Sequence, residues 1–166
     1  MEKDLNKIPV HIGNIKKTSI ENGDGVRVSV FISGCPHHCK GCHNAEAWAY
    51  DFGEVLTNDM ITDIALSCQP EYISGITLLG GEPMAPHNQL ASLEILRRFK
   101  IYNPDKTVWV YSGYTLQELK DMNSPVVEEI LKLTDVLVDG RFEEDKKVVD
   151  LKFRGSTNQN IIHLNE

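Results

Sequence analysis

The stretch Val26-Arg27-Val28-Ser29-Val30-Phe31-Ile32-Ser33-Gly34-Cys35-Pro36-His37-His38-Cys39-Lys40-Gly41-Cys42-His43-Asn44 joins two signals. Its first half mixes apolar–polar alternation with β-branched residues and stops at Gly34, which reads as a strand. Its second half gathers three of the chain's four cysteines in the spacing Cys35-x3-Cys39-x2-Cys42. A strand that empties into a polar or glycine-rich loop is a pattern that recurs down the chain. Gly75-Ile76-Thr77-Leu78-Leu79 is a short apolar run ending in Gly80-Gly81, the mark of a buried parallel strand that opens into a backbone-exposing turn. Thr107-Val108-Trp109-Val110-Tyr111 makes a third strand, followed by Gly113. Asp135-Val136-Leu137-Val138 makes a fourth, stopping at Asp139-Gly140.

Helical patterns fill the gaps between these strands. Thr57 or Asn58 can cap a helix whose apolar positions Ile61, Ile64, Ala65 and Cys68 recur at helical spacing, with Pro70 ending it. Leu90, Leu93, Ile95, Leu96 and Phe99 supply a second amphipathic helix. Thr115-Leu116-Gln117-Glu118 is a capping box that starts a third. Ser124-Pro125 puts proline at the first helical position ahead of the apolar face Val126, Val127, Ile130, Leu131 and Leu133. The alternation predicts an α/β fold with a largely parallel sheet. Ligands of such sheets collect beyond the carboxyl ends of the strands. The cysteine segment, Gly80-Gly81-Glu82-Pro83, Ser112-Gly113-Tyr114 and Asp139-Gly140-Arg141 are therefore expected at one edge, as one site.

The chain has 166 residues, 41% hydrophobic and 25% charged, without repeat, low-complexity tract or linker, so residues 1–166 read as a single domain. Seventeen Lys and Arg against 24 Asp and Glu give a net charge of −7, which argues against a general affinity for nucleic-acid backbone or anionic membrane. Residues 1–7 contain no apolar leader, and no apolar run approaches the ~20 residues that span a bilayer. A cytoplasmic location is expected. Clustered cysteines do not suit a disulfide framework, which spreads its thiols to staple distant loops, so metal or redox chemistry is the better reading.

Three thiolates are one short of a closed structural zinc site, and that reading must recruit His37, His38, His43 or Cys68. The other reading is a [4Fe–4S] cluster held by Cys35, Cys39 and Cys42, with one iron open to a non-protein ligand.

At this point the sequence resembles the radical S-adenosylmethionine superfamily, whose signature is this three-cysteine spacing after a first strand. Members usually carry an aromatic residue just before the third cysteine, where this chain has Gly41. The run Asp24-Gly25-Val26-Arg27, the segment Lys40-Gly41-Cys42-His43-Asn44 and Trp48 narrow the resemblance to the small activases of anaerobic ribonucleoside-triphosphate reductases, in which glycine stands at that point. The likeness continues through Leu79-Gly80-Gly81-Glu82-Pro83, Val108-Trp109-Val110-Tyr111-Ser112-Gly113-Tyr114, Val136-Leu137-Val138-Asp139-Gly140-Arg141-Phe142 and Arg154-Gly155-Ser156-Thr157-Asn158-Gln159.

The resemblance implies a partial (β/α) barrel, three irons ligated by Cys35, Cys39 and Cys42, and S-adenosyl-L-methionine chelated to the fourth. It implies that Gly80-Gly81-Glu82 form a ledge for the methionine amino group and that Gly41, Cys42, His43 and Asn44 touch the cofactor. It also implies reductive cleavage of S-adenosylmethionine and formation of a glycyl radical on the reductase's glycyl-radical subunit, with electrons from a donor such as flavodoxin. Glycine suits a stable radical because its Cα is delocalised over both flanking peptides and carries no side chain to block approach. An activase of another glycyl-radical enzyme, such as pyruvate formate-lyase, and a non-enzymatic zinc module are the alternatives.

Each residue also has a plainer reading. Gly80-Gly81 is often just a turn, His43 an orienting group beside a metal, and Asp139 either a ribose or adenine contact or half of an Asp-Gly turn. Cys68 reads as a buried structural thiol. Trp48 and Trp109 read as core. His37 and His38 read as surface residues flanking the loop. Asn158-Gln159 reads as a solvated loop or a partner contact.

Overall fold

In a computed structural model that describes residues 9–165, the strand read from Val26 is β2 of one seven-stranded sheet. The start of the chain, residues 1–7, lies outside the described residues. The strands are β1 (His11–Ser19), β2 (Val26–Ile32), β3 (Glu54–Val55), β4 (Ile73–Gly80), β5 (Thr107–Tyr111), β6 (Val136–Asp139) and β7 (Asn160–His163), in the spatial order β3-β1-β2-β4-β5-β6-β7. The central four are parallel, with Val30 opposite Leu78, Leu78 opposite Val110 and Val110 opposite Leu137. The flanks are antiparallel: β1 pairs with β2 and β3, and β7 pairs with β6. The sheet is thus mixed, and the largely parallel expectation holds for its centre.

The helices are α1 (Asn58–Ser67), α2 (Gln89–Tyr102), α3 (Leu116–Asp121) and α4 (Pro125–Leu133), and α1, α3 and α4 start where the capping signals put them. The Thr57 hydroxyl accepts from the Met60 amide, the Thr115–Glu118 capping box closes in both directions, and Ser124 accepts from Val127 ahead of Pro125. Each such cap stabilises its helix by about 1 kcal/mol. One expected core position is misplaced: Leu90 is 68% exposed, because the buried stripe of α2 runs through Ser92, Leu93, Ile95, Leu96 and Phe99.

Alternation along the strands sorts their side chains onto two unlike faces. Val28, Val30, Ile32, Ile76, Leu78, Val108, Val110 and Leu137 share one core with Ile61, Ile64, Leu93, Leu96, Phe99, Val127 and Ile130 of the helices. Burial of each large aliphatic side chain there contributes about 1.5–3 kcal/mol. The opposite face holds a smaller cluster of Trp109, Val136 and Val138, packed by Tyr111, Phe153 and Ile161, to which no described helix contributes. At the amino ends of the parallel strands this face is plugged by Arg27, fully buried and, among the described residues, without an ion-pair partner. Its guanidinium donates to Thr77 Oγ1, Thr107 Oγ1 and the carbonyls of Asp24, Ile76 and Thr107, and lies over the Trp109 ring. Burial pulls its pKa down to about 10, so it stays cationic at neutral pH. At the carboxyl ends the same face is open, and the site lies there.

Candidate functional site

The four strand ends converge as expected. Phe31, Leu79, Tyr111 and Val138, each near the end of a parallel strand and on the helix-free face, help line a cavity of about 270 Å³ together with Cys35, Cys39 and Cys42. His43, Asn44, Gly80, Gly81, Gly113 and Gly140 also border it. A second cavity of about 490 Å³ opens alongside and shares His43, Tyr111, Arg154 and Gly155 with the first.

The cysteine loop is fixed at its base by backbone bonds before any ligand is considered. Gly34 donates to the Ala47 carbonyl and Cys35 to that of Trp48, while a short 3-10 turn at Ala45–Trp48 returns the chain beneath them. The Asn88 side-chain amide, fully buried, donates to the carbonyls of Ser33 and Glu82. All three loop cysteines are free thiols. Burial pushes the Cys35 thiol up to about 11, opposed by hydrogen bonds from the backbone at His37 and His38. Cys39 is raised for the same first reason, opposed by a backbone bond at Phe142. Thiols held neutral by burial, yet already facing N–H donors, gain most from a positively charged metal group that favours the thiolate.

The glycine pair occupies the position the sequence suggested, but its constraint comes from the protein itself. Gly80 has φ of +120°, and a Cβ there would lie 2.5 Å from the Ile32 nitrogen. At Gly81 a Cβ would lie 2.6 Å from the Gly34 carbonyl oxygen. The pair lets β4 turn tightly against the base of the cysteine loop. Both residues also border the cavity.

The two acidic site candidates do not line the cavity. Glu82 is fully buried, its Oε1 accepting from His37 Nε2 at 2.7 Å and the Gly113 amide at 2.6 Å, its Oε2 from Ser112 Oγ and the Met84 amide at 2.9 Å each. Asp139 accepts from the Leu116 amide, the first of α3, and from Asn160 Nδ2. Gly41 lies outside the lining and adopts φ of +76° beside Glu144.

Several plainer readings need correction. The His37 side chain is 5% exposed rather than at the surface. His38 stays exposed but stacks on Trp48 at 4.5 Å, and Trp48 borders the cavity instead of joining the core. Trp109 is core as read. Asn158 and Gln159 are half-buried, and their side-chain amides are engaged within the protein. Their amides donate to the carbonyls of Arg141 and Gly140, Gln159 Oε1 accepts from Gly155, and Arg154 donates to the Gln159 carbonyl. They bind the long loop after β6 to itself and fix Arg154 at the cavity wall. Cys68 is fully buried in the helix-side core, and burial pushes its thiol up to about 12.

Sequence reading missed Tyr111, Phe142 and Arg154 as cavity residues. Tyr111 was accessible to it, because it alternates with Trp109 on a strand whose other face is apolar. Its hydroxyl is buried and has no hydrogen-bond partner among the described residues, so it is a polar atom that a bound molecule would satisfy.

The donor chemistry suits a cluster better than one ion. Among the described residues no three His, Cys, Asp or Glu side chains converge on a single metal position. Of the extra ligands a zinc site would recruit, His37 is bound to Glu82, His38 stacks on Trp48 and Cys68 lies in the core, which leaves His43 at the cavity edge. Three thiols spaced around one cavity, with an adjoining apolar wall, fit a larger sulfur-rich body and a second molecule beside it.

These features define an iron–sulfur protein of the single-cluster class, and a family model described as "4Fe-4S single cluster domain" matches residues 21–162. An anaerobic ribonucleoside-triphosphate reductase-activating protein of Pasteurella multocida is 40% identical over 151 residues, covering 90% of this chain and 94% of the relative. Its namesake in Escherichia coli K12 is 40% identical over 147 residues, covering 87% and 93%. A phage T4 protein of the same name is 34% identical over 140 residues, covering 84% and 85%. The chain belongs to the family of anaerobic ribonucleoside-triphosphate reductase-activating proteins, radical S-adenosylmethionine enzymes with a [4Fe–4S] cluster.

Proposed function

We propose that this chain, as one domain over residues 1–166, generates a glycyl radical on the glycyl-radical subunit of an anaerobic ribonucleoside-triphosphate reductase. The observation that supports it most is the meeting of three free thiols in the Cys35-x3-Cys39-x2-Cys42 spacing with the glycine-rich strand ends around one cavity, in a chain of this family. Cys35, Cys39 and Cys42 would hold the [4Fe–4S] cluster, and the strand ends at Gly80-Gly81 and the residues Cys42, His43 and Asn44 would hold S-adenosylmethionine beside it, with Gly41 shaping the loop from outside the cavity. When bound, this pair supplies one-electron reductive cleavage of a carbon–sulfur bond and the hydrogen abstraction that leaves a radical on the partner's glycine.

The chain's own residues have narrower tasks. Phe31, Leu79 and Val138 wall the cavity with apolar surface, which keeps water from a reactive radical. The unpartnered Tyr111 hydroxyl offers a hydrogen bond to the bound molecule. Glu82 and Asp139 serve by holding loops, their carboxylate oxygens being taken up within the protein. The helix-free face supports reading the sheet as a partial barrel whose open side admits the partner's glycine-bearing segment. Among the described residues no helix is long and apolar enough to cross a membrane. We infer a cytoplasmic protein reduced by a donor such as flavodoxin.

The test is anaerobic reconstitution followed by iron and sulfide assay, then reduction with S-adenosylmethionine and the candidate reductase. Four irons and four sulfides per chain, deoxyadenosine release and a glycyl doublet in the electron paramagnetic resonance spectrum are expected, all absent in Cys35→Ala, Cys39→Ala or Cys42→Ala. A protein that binds one zinc and no sulfide, or a radical formed only on a pyruvate formate-lyase partner, overturns this assignment.

A further inference from the structure

We infer that the glutamate of the Gly80-Gly81-Glu82 turn is an anchor for the cysteine loop, acting through His37, and that His37 is a positioning residue for the metal site. The inference rests on the functional reading above, since it assumes that the loop holds a cluster. It assigns Glu82 a task different from contact with the methionine amino group.

The geometry leaves the carboxylate no free direction. Each oxygen of Glu82 receives two donors, and together they tie four points of the site: His37 between the first two cysteines, Met84 after the β4 turn, and Ser112 and Gly113 at the end of β5. The Glu82 amide itself donates to the Gly34 carbonyl at 2.8 Å, at the base of the same loop. Glu82 is fully buried and does not line the cavity, whereas His37 does.

His37 is seated as closely as it is bonded. Its ring meets Tyr114 edge-on at 4.5 Å, and a Cβ on Gly113 would lie 2.5 Å from its Cδ2. The absence of a side chain at Gly113 is what admits the imidazole beneath the loop. His37 stands two residues after Cys35 and two before Cys39, so fixing its ring fixes the span between those two sulfurs. Groups that orient metal ligands from behind are commonly worth ~10–100-fold in metal retention.

Three variants test this on the reconstituted, full-length protein: His37→Ala, His37→Gln and Glu82→Gln. The readouts are the rate of cluster bleaching by an iron chelator and the affinity of the loaded protein for S-adenosylmethionine by equilibrium dialysis. His37→Ala is expected to bleach about tenfold faster than the parent. His37→Gln, which keeps an amide N–H to offer Glu82, is expected to recover most of that loss. Glu82→Gln retains one acceptor oxygen for four donors and is expected to bleach at least as fast as His37→Ala, with cofactor affinity unchanged once loaded.

Two results overturn the inference: His37→Ala bleaching at the parent's rate, or Glu82→Gln holding its cluster normally while binding S-adenosylmethionine about tenfold more weakly, the loss of a charge-assisted contact to the ammonium. If Glu82→Gln does not fold, the two His37 variants decide. Failure of the parent to take up iron and sulfide sinks the functional reading instead, so the two failures are distinct.

Discussion

Cys68 and Cys35 are both buried thiols, yet their surroundings assign them opposite chemistry. Cys68 caps the end of α1 among aliphatic side chains, and its thiol is pushed up to about 12. Cys35 borders a cavity and has backbone donors aimed at its sulfur. Alkylation of the cluster-free protein, mapped by mass spectrometry, should therefore modify Cys39 and Cys42 first, Cys35 more slowly, and Cys68 only on unfolding. Labelling of Cys68 under native conditions would contradict its place in the core. Arg27 gives a second prediction at this scale. Its replacement by leucine leaves the carbonyls of Ile76 and Thr107 and the Thr77 hydroxyl short of a donor inside the protein. Arg27→Leu should lower the unfolding free energy by about 2–4 kcal/mol in urea titrations. The role of Arg27 was invisible in sequence, where it is one polar residue in a strand. The same is true of His37, whose burial depends on a carboxylate 45 positions away. The cysteine spacing, by contrast, needs no distant contact to be legible.

Among the elements, those whose ends carry chemistry were read best. Caps, the proline at the first turn of α4 and the strand-ending glycines act within a few residues, so their signals survive in the sequence alone. β1 and β7 were missed for a physical reason. β1 is a bulged strand with mostly exposed polar residues next to the short edge strand β3, and β7 is a half-buried four-residue edge, so neither shows the apolar run of a central strand. The loop after β6 was equally opaque, because side-chain amides rather than periodic elements hold it together. Its link to α3 is testable. Arg141 donates both Nη groups to Glu118, at 2.8 and 2.9 Å, and Glu118 also closes the capping box with Thr115. These bonds, the Arg141 pair first, hold the carboxyl at about 2, below its ordinary 4.5. A lowered folded-state pKa gives stability that is complete above the unfolded value and lost as pH falls through the folded one. Glu118→Gln should thus be less stable than the parent at neutral pH, with the gap closing between about 4.5 and about 2. Because the pair is exposed to solvent the gap should stay below about 1 kcal/mol. Thermal unfolding of both proteins across that range measures it, and a gap independent of pH would remove the ion pair as its cause.

At the scale of the molecule, the division of the sheet into a helix-packed face and an open face separates stability from chemistry. The main core draws on four parallel strands and all four helices, and none of the three loop cysteines belongs to it. The base of the cysteine loop is held by protein bonds from Gly34, Cys35 and Asn88 to partners outside the loop tip. A chain of 166 residues buries enough surface to fold without a metal staple, unlike a zinc finger, whose folding free energy is its metal-binding free energy. Stripping the cluster with a chelator under reducing conditions should therefore leave the far-ultraviolet circular dichroism and a single cooperative unfolding transition in place. Hydrogen exchange should rise only in residues 36–44 and in the loop at 140–159 that faces them, while β2, β4, β5 and β6 keep their protection. If the parallel strands instead lose protection together with the loop, the cluster is part of what folds the chain, and the independence of the two faces is wrong.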